Sequence, residues 1–280
     1  MIIDAHQHFW QIGQNDQSWP VPELASIYRD FLPRDLVAAA TDRGIDGTVL
    51  VQSQPSTVDT AWLLDLAAQT PLVKGVIGWT DLAVTDASRH IAELAKHPKL
   101  KGLRPMLQGL AEDDWILKAE VQPALGAMIK HDLCFDALVF ARHLPAIDVL
   151  AKRYPELKIV IDHGAKPPVA SATSTPHQSQ IWREHMAKVA QNPNVACKLS
   201  GLLTEASLEQ SPNDVRAYAD YLLAIFGPNR LMWGSDWPVV LLRAPYRDWF
   251  DWTANWLDGK PPSTKDAILG TNAQTLYVLS

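Results

Sequence analysis

The chain has 280 residues, of which 47% are hydrophobic and 20% charged, the profile of a folded globular protein with enough length for one large core. Its net charge of −6 argues against nucleic acid or an anionic membrane surface as a partner, and no apolar run is long enough to span a bilayer. A small neutral or acidic ligand is not excluded, because one or two local basic residues suffice to hold it.

The first stretch, Ile2-Ile3-Asp4-Ala5-His6-Gln7-His8, opens apolar and is followed by the turn-prone Gly13, Asn15 and Asp16, so it reads as a strand. On a regular strand Asp4, His6 and His8 share one face. Two imidazoles two residues apart can bind one metal ion or hold one substrate. Further short, β-branched-rich segments follow, and the full set covers 2–6, 47–52, 73–79, 100–104, 133–138, 158–163, 194–200 and 231–236. Helical spacing between and after them predicts helices over 36–40, 58–68, 87–95, 121–129, 144–152, 181–189, 215–226 and 263–279. Ser263 with Asp266 three residues on reads as the cap of the last, and Gly44 and Gly227 read as left-handed terminators of the first and seventh. Eight βα units predict an α/β protein, a (β/α)8 or TIM barrel, with 1–280 as one domain. A doubly wound open sheet is the rival, but no glycine-rich phosphate fingerprint follows the first strand.

Active sites of such barrels lie at the C-terminal ends of the strands. Here the strands close on or carry His6 and His8, Arg104, Asp136, Asp162-His163, Lys198 and Ser200, and Ser235-Asp236-Trp237. A core would not choose these residues. Any one of them has an ordinary alternative: a core histidine, a rim salt bridge for Arg104, a buried pair for Lys198 with Asp136, a turn cap for Asp236. The set together is what points to chemistry. Long segments at 9–33, 105–115, 164–182 and 237–252 are expected to shape the pocket, the first with Trp10, Trp19 and Tyr28. Lys166-Pro167-Pro168 and the Ser/Thr-rich run behind it are expected to form a flap. Cys134 and Cys197 sit in apolar segments and read as small buried residues, which fits a reducing, cytoplasmic setting. The start of the chain lacks the pattern of a signal peptide.

Asp4-Ala5-His6-Gln7-His8, Asp162-His163-Gly164 and Trp233-Gly234-Ser235-Asp236-Trp237-Pro238, with Gly270-Thr271-Asn272-Ala273 and Leu276-Tyr277 at the end, resemble the amidohydrolase superfamily. Leu103-Arg104-Pro105 and Lys198-Leu199-Ser200-Gly201 are similar to its sugar-lactone and dicarboxylate-lactone hydrolases, and residues 4–10 with the Trp-rich loop look most like L-fuconolactonase-type enzymes. The resemblance implies His6, His8, His163 and Asp236 as ligands of one zinc ion. No lysine stands where a carboxylated lysine would bridge two metals, and some lactonases of this branch work without any metal. It implies hydrolysis of a sugar-derived lactone, with Asp236 as the base that activates water. His6, His8 and His163 would polarise the carbonyl and Lys198 would stabilise the oxyanion. Arg104, Trp10, Trp237 and Asp136 are the expected substrate contacts, and Asp4 is expected below His6 as its orienting partner. The partner is then a small sugar lactone, with the oligomeric state left open. Two other readings compete: a metal-dependent non-oxidative decarboxylase of the same superfamily, and a catalytically silent sugar-acid binding protein.

Overall fold

The computed structural model describes residues 1–169 and 176–280. Eight parallel strands run in sheet order β1 to β8: Ile3–Gln7, Gly47–Val51, Val73–Gly78, Leu100–Leu103, Cys134–Ala137, Ile159–Ile161, Val195–Leu199 and Leu231–Trp233. They are buried almost throughout, as expected when helices cover the outside of a parallel sheet and side chains fill the inside. The ring closes just beyond β8. There the Asp236 N–H donates to the His6 carbonyl at 2.8 Å and the His8 N–H donates to the Trp237 carbonyl at 2.7 Å. The closing bonds are therefore made by the residues that carry the histidines and the last-strand aspartate.

The outer helices are α1 Pro33–Ala39, α2 Thr57–Ala68, α3 Ala87–Leu94, α4 Gln122–Lys130, α5 Leu144–Arg153, α6 Pro176–Val189, α7 Arg216–Phe226 and α8 Tyr246–Leu257. The eighth differs from expectation. It falls in the stretch read as a loop over 237–252 and beyond, and it buries Tyr246, Trp249, Phe250, Thr253, Trp256 and Leu257. Those positions follow helical spacing, but they are aromatic and close behind Pro238 and Pro245, so the pattern reads as an irregular loop. The expected last helix is instead α9 Pro262–Asp266, a π turn over Ala267–Thr271 and α10 Asn272–Leu276. Ser263 lies inside α9 and caps nothing, since Pro261 is the cap residue. Gly227, at φ +68°, does terminate α7, whereas Gly44 lies past the turn that follows α1, whose C-cap is Ala40. Ala273, Tyr277 and Leu279 plug the lower end of the barrel against Ile3, Val49, Ile77 and Met232.

The first strand also departs from simple alternation. Asp4 pairs with Thr48 and Gln7 with Leu50, so three steps on β1 match two on β2, a bulge. Asp4 faces outward, where the Tyr246 hydroxyl of α8 donates to it at 3.2 Å. The inserted residue turns both Ala5 and His6 inward. Asp4 consequently does not orient the His6 ring from within. It accepts from the backbone N–H of His6 at 3.2 Å and of Ser235 at 2.8 Å, tying the two strand ends together.

Candidate active site

Four side chains meet at the top of the barrel. The Nε2 atoms of His8, His6 and His163 lie 3.4, 3.7 and 3.9 Å from Asp236 Oδ1, and those of His6 and His8 are 3.2 Å apart. Two of the four stand on strained backbone. Asp236 has φ +57°, and His163, Gly164, Ala165 and Lys166 form a run at +53°, +57°, +56° and +50°. L-residues visit this region singly and at a cost of about 1–3 kcal/mol each, so such a run persists only where its surroundings impose it. The Trp182 indole donates to the Gly164 carbonyl at 2.8 Å and fixes the turn. His163 Nδ1 lies 2.9 Å from Ser200 Oγ, against Gly201.

Beneath this floor is a buried charge network. Lys198 Nζ lies 2.5 Å from Asp136 Oδ2 and 3.1 Å from Asp162 Oδ1. Arg104 Nη1 lies 3.2 Å from Asp162 Oδ2, and Arg104 also donates through Nη2 to the Gln52 carbonyl. The Tyr277 hydroxyl, reaching up from below, sits 3.0 Å from both oxygens of Asp136. Burial drives Asp136 up to about 6 against the pull of Lys198, with Asp162 adding to the rise. Asp162 goes the other way. Burial raises it, but Lys198, His6 and Arg104 together hold it well below the carboxylate range. Burial opposes the charge on Lys198, but its two carboxylate neighbours hold the ammonium above its ordinary value.

Burial keeps His6 and His163 neutral. Burial pushes His6 well below the usual imidazole range, and it brings His163 down to about 4 despite the attraction of Asp236. Burial raises Asp236, but His163, the hydrogen bond from His8, and His6 hold it far below the ordinary range, so it is ionised at neutral pH. His6, His163 and Asp236 offer donor atoms within 4.8 Å of one another, with His8 adjoining. Neutral imidazoles plus one carboxylate fit a single zinc-type ion.

Above the floor opens a cavity of about 260 Å³. This lies just below the roughly 300–1,000 Å³ typical of ligand pockets and suits a single ring. His8, His163, Asp236 and Arg104 line its base; Trp19, Met106, Leu138 and Val239 give it an apolar wall; Ser53, Gln108, Lys166 and Thr204 are its polar edge. Trp19 is anchored by Gln54, whose Nε2 donates to the Trp19 carbonyl at 2.5 Å and whose Oε1 accepts from the Ser18 N–H at 2.9 Å.

Of the expected residues, the structure brings together His6, His8, His163 and Asp236, with Arg104 at the base. Trp10, Trp237, Asp136 and Lys198 do not line the cavity. Trp10 and Trp237 are packed behind Trp19, in a chain of edge-to-face contacts through Phe31 at 5.4, 5.6 and 5.1 Å. Asp136 and Lys198 lie below the floor, fully buried. The flap expected from Lys166 onward falls largely on residues 170–175, outside the described residues. Sequence reasoning placed Asp162 beside His163 at a strand end and Gly201 and Tyr277 within the family motifs, without assigning any of them a role, and it passed over Gln54, which nothing in the sequence connects to the site.

The amidohydrolase family model matches residues 3–279. An L-fucono-1,5-lactonase of Burkholderia ambifaria is 48% identical over 279 residues, covering 98% of this chain and 94% of that protein. An L-fucono-1,5-lactonase of Burkholderia multivorans is 32% identical, covering 99% and 96%. A Burkholderia multivorans amidohydrolase crystallised with bound zinc shares the whole fold, with a TM-score of 0.93, 32% identity and full coverage of both chains.

Proposed function

The chain belongs to the amidohydrolase family, and from that premise we propose that it hydrolyses a sugar-derived lactone of the L-fuconolactone kind to the open aldonic acid. The observation that carries this is 48% identity over nearly the whole chain to an L-fucono-1,5-lactonase. The one-ring cavity above an ionised aspartate supports it.

In this reading the lactone carbonyl sits over His163 and Arg104, which offer N–H groups to its oxygen. Asp236 accepts a proton from the attacking water. A carboxylate with so low a proton affinity is a weak base, but a lactone is an activated ester and asks less of its base than an amide does. When the tetrahedral adduct collapses, the ring C–O bond breaks and the carboxyl of Asp236 returns its proton to the leaving alkoxide. Trp19 offers a flat apolar face to the C–H side of the ring, while Gln108, Lys166 and Thr204 meet its hydroxyls. Asp136 and Lys198 act from beneath, without touching substrate. A divalent ion held by His6, His8, His163 and Asp236 would supply Lewis-acid polarisation of the same carbonyl. We further propose that turnover survives its removal.

The test is a pH-indicator screen against a panel of sugar lactones, run beside a carbon dioxide assay on aromatic carboxylates. Acid release from a six-carbon deoxysugar lactone well above the spontaneous rate is expected. Carbon dioxide release without lactone turnover would replace the proposal with the decarboxylase reading, and binding without turnover would reduce the protein to a sugar-acid binder.

A further inference from the structure

A second cavity opens behind the wall of the first. It has a volume of about 320 Å³, enough for one ring, and lies among the segments that follow β2, β3 and β4. Met106 borders both cavities, so a single thioether side chain stands between them. Gln52 Nε2 donates to its Sδ at 3.2 Å. Beyond Met106 the lining is mostly apolar and includes Pro55, Trp79 and Trp115, with Thr80 and Asp81 as its polar groups. The segment over 105–115 therefore serves both cavities, the first through Met106 and Gln108 and the second through Met106 and Trp115.

This lining is not that of packed scaffold. Trp79 and Trp115 are half-buried, but among the described residues neither ring meets another aromatic and neither indole donates a hydrogen bond. Trp10, Trp182, Trp249, Trp252 and Trp256 do both. The Trp79 backbone is clamped all the same: the Thr60 hydroxyl accepts from its N–H at 2.7 Å and donates to its carbonyl at 2.8 Å. Thr80 is 2% exposed, and its hydroxyl has no hydrogen-bond partner among the described residues. A buried hydroxyl left unpaired destabilises a fold, and valine would fill the same space without that penalty. Asp81 accepts from the Ala83 N–H through Oδ1 at 2.9 Å, which leaves Oδ2 open to a donor.

Flat apolar faces beside one hydroxyl and one carboxylate match a sugar ring. The C–H faces of the sugar lie on indole, and its hydroxyls donate to a carboxylate and exchange hydrogen bonds with a threonine. The Asp81 carboxylate also disfavours a ligand that is itself anionic. We propose that this cavity is a second sugar-binding site, which takes one neutral pyranose ring against Trp79 and Trp115 and holds it through Thr80 and Asp81. A ring bound there lies one side chain away from the catalytic cavity, against Met106, an adaptable apolar wall. The inference concerns a sugar that carries no lactone, so it stands or falls independently of the lactonase reading.

The test is a saturation-transfer NMR titration of the full chain with methyl β-D-glucopyranoside, methyl β-D-galactopyranoside and methyl α-L-fucopyranoside. At least one of them should bind the wild-type protein. Trp115→Ala should raise its Kd about tenfold, the scale of one lost aromatic face. Thr80→Val should weaken it too, while keeping or raising Tm, because only an unpaired hydroxyl is removed. Trp19→Ala, which alters the catalytic cavity and not the second, should leave Kd within about twofold. Binding of none of the three sugars, or a Kd unchanged in both Trp115→Ala and Thr80→Val, would overturn the proposal. A loss in Trp19→Ala as large as in Trp115→Ala would do so as well, since it places the sugar in the catalytic cavity. If Trp115→Ala does not fold, Thr80→Val, which keeps the shape of the side chain, decides alone.

Discussion

Gly201→Ala tests the role of His163 without touching it. Gly201 has φ +63°, and a Cβ built there would sit 2.5 Å from His163 Nδ1, 2.7 Å from its Cγ and 3.0 Å from its Cβ. The left-handed backbone costs an alanine about 1 kcal/mol. Relieving the overlap adds about 1–3 kcal/mol. The sum, about 2–4 kcal/mol, should lower Tm by roughly 4–8 °C in a chain of this size. Ordinary contact begins near 3.4 Å, so the ring must retreat by 3.4 − 2.5, or 0.9 Å. It would then leave Ser200 and swing away from Asp236. A displacement near 1 Å in a positioned group costs on the order of a hundredfold in turnover. Gly44→Ala is the control: φ is +64° but nothing lies within 4 Å, so only the backbone cost of about 1 kcal/mol applies and turnover should not change. The assay is thermal melting beside kcat on the best lactone of the panel. If Gly201→Ala melts lower yet turns over at the wild-type rate, His163 has no part in the chemistry.

Asp236→Asn should keep the wild-type melting temperature within a few degrees and lose at least about a hundredfold in kcat, the range for a positioned base; near-normal turnover would remove Asp236 from that role. Trp19→Ala should raise KM about tenfold with kcat little changed, because Gln54 anchors the backbone and the loss is confined to the ring face; an equal fall in kcat would place Trp19 in the chemistry. Asp59, buried in α2, is pushed by burial up to about 7 against the pull of the Ser53 and Gln54 N–H groups. The folded state therefore holds its proton between about pH 4 and pH 7 where the unfolded chain has released it, and stability falls as pH rises through that window. Asp59→Asn should accordingly stabilise more at pH 8 than at pH 5, a difference read from melting curves at the two pH values. Metal stripped by a chelator, its loss confirmed by elemental analysis, should leave most lactonase activity; loss restored by zinc would make the enzyme a strict metallohydrolase.

The barrel was legible because the strands fall in short, largely apolar runs and each of the first seven helices has plain apolar spacing. The site was legible because polar residues close those runs. Depth was not. His8, Arg104, Leu138 and Ser200 each follow the last residue of their strand, and three of the four line the cavity, while Ser200 holds His163. Asp136 and Lys198 stand two residues earlier than Leu138 and Ser200. Two residues of strand are roughly 6.5 Å, enough to move a side chain from the pocket into the layer beneath it. Composition does not record so small an offset, and the bulge that turns His6 inward while Asp4 faces out leaves no mark in it either. The tryptophans failed for a different reason. Trp10, Trp19 and Trp237 are chemically identical, and which of them faces the cavity is decided by how the other two pack against Phe31.

The positions of strained backbone separate the site from the scaffold. Away from it, left-handed non-glycine residues are mostly Asn15, Asp16, Asp42 and Asp132, types whose short polar side chains tolerate that conformation. At the site they are His163, Ala165, Lys166 and Asp236, none chosen for tolerance except the aspartate. His163 and Asp236 are the two polar residues that must leave the ends of β6 and β8 and turn toward the histidines of β1. A strand continued in regular geometry would carry them past the barrel mouth. The left-handed turns fold them back over it, and the closing hydrogen bonds from Asp236 and His8 hold the turn on the β8 side in register with β1. The strain is therefore the local expression of one requirement: that a carboxylate on the last strand and an imidazole from the sixth reach a point above the first.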